Sequence, residues 1–134
     1  MRHRVSVDLG ELSWAREDHR DERIHHLDLD TGEVLPYHED VEVGPRCLEV
    51  PRPEPGEGYR DMVDFIDTVD DATLRAMLSV AVRGPGAFRR FKDVLLEFPG
   101  ERDRWFEFKD GRTRGRLEEW LEGEGVQVVW RGAP

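Results

Sequence analysis

The run RGPGAFRRFKD, Arg83 to Asp93, interleaves two phenylalanines with Arg89, Arg90 and Lys92 in an otherwise acidic chain. A glycine-bearing loop before a helix can hold an anion, because the first N–H groups of a helix lack internal partners and the helix dipole favours negative charge there. Arg83, Arg89, Arg90 and Lys92 would add positive charge, and an arginine can fork onto a phosphate. The run matches neither G-x-x-x-x-G-K-S/T nor G-x-G-x-x-G after a strand, and Pro85 removes an N–H that a phosphate cradle would use. What it offers instead is a basic face for an acidic macromolecule, with an acidic protein as the first expectation and a nucleic acid as the alternative. Phe88 and Phe91 fit a buried helical spacing, so no ladder of exposed rings for stacking on bases is expected.

Other chemistry is weaker. Asp28, Asp30 and Glu39 stand at positions 1, 3 and 12 of a calcium-loop frame, but Gly32 is one place early and the surrounding alternation suits a hairpin. That hairpin would set His25 near His38, which is half of a zinc site without a third ligand. Cys47 lies in a Pro/Gly-rich stretch with no CxxC and no adjacent base, so it is read neither as a reactive thiol nor as a disulfide partner. Ser6, Ser13 and Ser79 sit in no nucleophile elbow, and the carboxylates fall in solvated runs rather than as an acid/base pair. The sequence is therefore read as non-enzymatic, with no cofactor; an enzyme whose site is assembled from dispersed residues is the remaining alternative.

The elements that would position these residues follow from periodicity. Leu9, Leu12 and Ala15 predict an N-terminal helix capped by Asp8. Leu27 and Leu29 alternate with polar residues, and Asp30-Thr31-Gly32-Glu33 is turn chemistry before Val34 to Tyr37, predicting a hairpin with Gly32 at positive φ and Pro36 on an edge strand. Residues 44–58 hold four prolines and three glycines and read as a connecting loop. Tyr59, Met62, Val63, Ile66 and Val69 predict one helix, and Leu74, Met77, Leu78 and Ala81 a second that Asp70 or Asp71 caps. Gly84 suits the end of that helix. Phe88, Phe91, Leu95 and Phe98 predict a third, which Pro99-Gly100 ends. Two shorter helices follow, one around Trp105, Phe106 and Phe108 and one around Leu117, Trp120 and Leu121. Val126 to Trp130 is β-branched enough to be a last strand, added to the hairpin.

At 134 residues the chain is sized for one α+β domain with a single core. It would comprise an N-terminal helix, a small antiparallel sheet and four or five C-terminal helices. One cysteine, no long apolar run and no secretory pattern at the start point to the cytoplasm, away from membranes. The net charge of −10 disfavours nucleic acid on average, yet residues 83–116 hold ten Lys or Arg against six Asp or Glu. Such segregation is compatible with a solvated helix surface as well as with a binding face.

Four pieces in order, LDLDTGEV, the Tyr59–Val69 helix with FIDTV, RGPGAFRRFKD and the WFEF to EEWLEGEGV tail, give a chain that resembles uncharacterised protein family 0158. These are small bacterial proteins without an assigned activity. Pro85 stands where the family's G-x-G-A-F pattern has arginine, and the Pro-rich segment is peculiar to this chain. The resemblance implies an α+β domain and brings no substrate, cofactor or catalytic residue. The reading is thus a non-catalytic interaction protein that binds a partner through Arg83, Arg89, Arg90 and Lys92.

Overall fold

The computed structural model describes residues 3–18, 24–37 and 46–131. In chain order the elements are β1 (His3–Asp8), α1 (Leu9–Glu17), β2 (Ile24–Asp28), β3 (Val34–Tyr37), β4 (Cys47–Glu49), α2 (Glu57–Ile66), α3 (Ala72–Ala81), α4 (Ala87–Leu96), α5 (Pro99–Gly123) and β5 (Val126–Arg131). The fold class is α+β. Two compact units are present, Met1–Pro53 with Thr113–Pro134, and Glu54–Arg112. Each has its own buried cluster, where chain length had suggested a single core.

In the first unit, β1 and β5 pair in parallel, with Val5 opposite Val128 and Val7 opposite Trp130. The last strand therefore joins β1 and not the hairpin. The strand His3–Asp8 was missed because Arg4 and Ser6 dilute its apolar content; Val5 and Val7 alternate with them and face Leu12, Leu117 and Leu121 in the buried cluster. Asp8 caps α1 as expected, its carboxylate accepting from Glu11 N–H at 2.9 Å. The hairpin forms with Leu27 opposite Val34, and β4 adds to its other side, giving the order β3-β2-β4. Three residues, Cys47–Glu49, are extended inside the stretch read as loop, where the gap between Pro45 and Pro51 leaves N–H groups free to pair. Pro36 lies on the edge strand β3, as expected.

The hairpin turn is tied to β1. Gly32 has φ +77°, and a Cβ there would stand 1.9 Å from the Ser6 carbonyl oxygen. Positive φ was anticipated; the close backbone approach was not. Asp28 Oδ1 accepts from Asp30 N–H at 2.8 Å, so this carboxylate closes its own turn. Asp30 pairs with Arg46 at 2.7 Å. Glu39, the third member of the calcium frame, lies outside the described residues.

In the second unit α2, α3, α4 and the start of α5 surround Phe65 and Phe91, which are fully buried. Trp105 packs edge-on to both, with ring centroids at 5.3 and 4.9 Å. On α2 the buried stripe is Met62, Phe65, Ile66 and on to Val69, while Tyr59 and Val63 are exposed. The stripe is centred on Phe65, the largest wholly apolar side chain of α2, with Tyr59 and Val63 turned outward. α5 is one helix of 25 residues where two were expected. Gly111 and Gly115 cost about 1 kcal/mol each, less than opening two new helix ends with their unsatisfied backbone groups. Pro99 is its first residue, so it both follows α4 and starts α5.

Candidate interaction face on α4

Glycines frame the link before α4. Gly84 and Gly86 have φ of +71° and +80°, and Gly86 is the N-cap of α4. Pro85 between them lets the chain reverse from α3 into α4. The inward positions of α4 are Ala87, Phe91 and Leu95, at i, i+4 and i+8.

Phe88 is a correction. It is 52% exposed, because Ala87 takes the inward place in the first turn and Phe88 is about 100° further round the helix. Its ring lies against α2 at Gly58, where a Cβ would come within 3.1 Å of Cε1 and 3.2 Å of Cζ. The ring is thus outside the core yet seated. Leu96, 58% exposed, is about 12 Å further along and about 80° further round, also on the outer half of α4. Met77, expected in the core, is exposed on α3, since Leu74, Leu78 and Ala81 fill the inward stripe.

Arg90 is the second correction. Its Nε donates to the Ala81 carbonyl at 2.9 Å, Nη1 to the Pro85 carbonyl, and Nη2 to the carbonyls of Arg83 and Gly84. The guanidinium therefore closes the C-terminal end of α3, where carbonyls lack helical partners and a cation suits the dipole. Its donors are spent inside the link and are not available to a partner. Arg89 is open to solvent and 3.9 Å from Asp93. Lys92 lies about 200° around α4 from Arg90, so those two cations leave the helix on opposite sides. The four residues do not converge. Arg89 and Lys92 share the outer side with Phe88 and Leu96, and Arg83 is exposed in the link.

In the basic segment beyond α4, Arg104, Arg112 and Arg114 are paired at home. Arg104 bonds Glu101 at 2.8 Å and Thr68 Oγ1 at 2.8 Å, and its guanidinium lies over Phe65 at 4.5 Å. Hydrogen bonding from Arg104 holds the Glu101 carboxyl below its ordinary range. Arg112 reaches Asp64 at 2.9 Å, and Arg114 reaches Glu118 at 2.9 Å. Glu118 also accepts from the Trp130 indole N–H at 2.7 Å, and that bond, followed by Arg114, lowers its pKa. Ion pairs within helices at Arg89, Arg104 and Arg114, and one from Arg112 to α2, thus take up part of the positive charge in residues 83–116.

Across α4 from Lys92, an open groove of about 600 Å³ runs between α3 and α4, lined by Ala76, Met77, Val80, Ala81 and Val94 with Arg90 and Asp93 at its rim.

The histidines behave differently from the metal reading. His25 is buried with its Nε2 2.9 Å from Asp18 Oδ2, and Trp14 meets its ring edge-on at 5.5 Å. Strand register sets Pro36 opposite His25; His38 lies outside the described residues. The pair is only 4% and 3% exposed at its side chains, so it is sealed from a substrate. Asp18 is distant in sequence pattern from the strand, and no spacing rule would have linked the two. Among the described residues no group of three or more His, Cys, Asp or Glu could hold a metal ion, and no helix is long and apolar enough to cross a membrane.

The model of Uncharacterised protein family (UPF0158) matches residues 7–133. A UPF0158 protein of Pseudomonas aeruginosa is 26% identical over 140 residues, covering 97% of this chain and 90% of the relative. No solved structure matches.

Proposed function

This chain belongs to the uncharacterised protein family UPF0158, and from that premise we propose that it is a non-catalytic interaction protein which docks an acidic protein segment on the outer side of α4. The observation that carries the reading is the exposure of Phe88 and Leu96 on the same helical side as Arg89 and Lys92. Aromatic and arginine side chains are what protein interfaces concentrate, and two exposed apolar side chains on the outer half of α4 suit a partner with apolar residues among its acids. Gly58 is the positioning residue, because a Cβ there would crowd the Phe88 ring and force it to give by a few tenths of an ångström. Local cations also give an acidic partner a place to approach a chain of net charge −10. A nucleic acid would find one ring and two cations here, short of a stacking platform.

The test uses a short fluorescein-labelled peptide that alternates glutamate and leucine, its lysine counterpart, and labelled oligouridylate. The acidic peptide binds, more weakly as salt rises, and Phe88→Ala weakens it about tenfold, as loss of a central anchor does. Arg89→Glu with Lys92→Glu abolishes binding. Phe88→Ala leaves the far-UV spectrum unchanged, since the ring is outside the core. Equal binding of the lysine peptide would overturn the proposal, and so would salt-sensitive oligouridylate binding in its place, which is the nucleic-acid reading.

A further inference from the structure

α3 contains one charged residue among ten, Arg75, and is apolar on its groove side as well as on its buried side. Leu74, Leu78 and Ala81 are buried, while Ala76, Met77 and Val80 face solvent along the groove it forms with α4, Val80 at 60% exposure. A second apolar stripe left open to solvent beside the buried one is the kind of patch that a partner covers. We infer that this face is covered by the same face of a second copy of the chain, in a two-fold dimer built on α3 and α4.

Charge selects that occupant. α3 and α4 run antiparallel, since Arg90 at the start of α4 bonds Ala81 at the end of α3 while Met77 and Val94 line the groove together. The groove therefore has two unlike ends. One carries Arg83, beside the Arg90 guanidinium already bonded to the link; the other carries Asp70, Asp71 and Glu97 against Arg75, all exposed. Glu101 and Arg104 of α5 face the acidic end but bond each other at 2.8 Å, so that end stays negative. A two-fold axis across α3 reverses the groove against itself and sets each basic end on the copy's acidic end. Like ends would meet under a parallel arrangement, which is disfavoured. Ala76 is small enough for close approach, and Met77 and Val80 enter the copy's groove as knobs.

The dimer uses the side of α4 away from Lys92, so it stands or falls separately from the peptide reading. Sedimentation equilibrium of the full chain gives a particle of twice 15.6 kDa. Val80→Glu raises the dimer dissociation constant at least tenfold while leaving the far-UV spectrum unchanged, because the residue is outside the core. Arg83→Glu weakens the dimer and Arg83→Glu with Glu97→Arg restores it; Phe88→Ala leaves the mass unchanged. A monomer at the highest soluble concentration overturns the inference, as does a dimer indifferent to Val80→Glu. An acidic or apolar peptide occupying the groove of a monomeric chain would assign the face to another partner and overturn it too.

Discussion

Replacing Gly32 by alanine isolates the contact between the hairpin turn and β1. At φ +77° an added Cβ costs about 1–2 kcal/mol from backbone sterics alone. The same atom would lie 1.9 Å from the Ser6 carbonyl oxygen, so the turn must retreat by about 1.5 Å to reach ordinary contact. That displacement breaks the bonds from Gly32 N–H to the Asp28 carbonyl at 2.8 Å and from Asp28 N–H to the Glu33 carbonyl at 2.9 Å. At roughly 1 kcal/mol net per bond, the total loss is about 3–4 kcal/mol. Gly125→Ala is the matched control, because Gly125 has φ +76°, sits in the same compact unit and has nothing within 4 Å of the new Cβ. It should lose only about 1–2 kcal/mol. Urea unfolding at equilibrium reads both, provided the slope is unchanged. Equal losses in the two variants would refute the close approach as the reason glycine is needed at 32.

Arg90→Ala should destabilise the second unit by about 1–2 kcal/mol, since one exposed guanidinium serves four carbonyls. Arg90→Lys recovers less than half, because an ammonium cannot fork across the link; full recovery in urea unfolding would show that charge alone matters. Charge reversal at Arg90 is for the same reason a test of folding and not of partner binding. Glu118 has a folded-state pKa below its unfolded value, owing first to the Trp130 indole and then to Arg114. Its contribution is therefore fully present above the unfolded value of about 4.3 and is lost as pH falls through the folded value. The Trp130 indole N–H resonance should shift in that acid range, and Glu118→Gln should flatten the pH dependence; a signal unmoved between neutral and acid pH would contradict the bond.

Local pattern was sufficient for much of the fold. Asp8 before Leu9, an aspartate cap at 70 or 71 before Ala72, and Gly32 in its turn could be read from sequence because capping and positive φ depend on neighbours a few residues away. The hairpin and the first four helices appeared near their true places for the same reason. The candidate site was legible as a segment and misread as a surface. Both Phe88 and Phe91 satisfy a helical spacing, and Ala87, which takes the inward position, is too small to have advertised it. Nothing in RGPGAFRRFKD says that Arg90 folds back on the link, because its partners are carbonyls, which carry no residue identity.

What the amino-acid order determined by itself was the first four helices, the turn glycines, the cysteine count and the segregation of charge, since each depends on covalent neighbours or on composition. Tertiary structure decided the partner of the last strand, the side of α4 that faces water, the ion pairs of the basic segment and the pairing of His25 with Asp18. Those outcomes depend on which distant groups meet, and a meeting across seven to over a hundred residues is set by burial and shape, which no local spacing encodes.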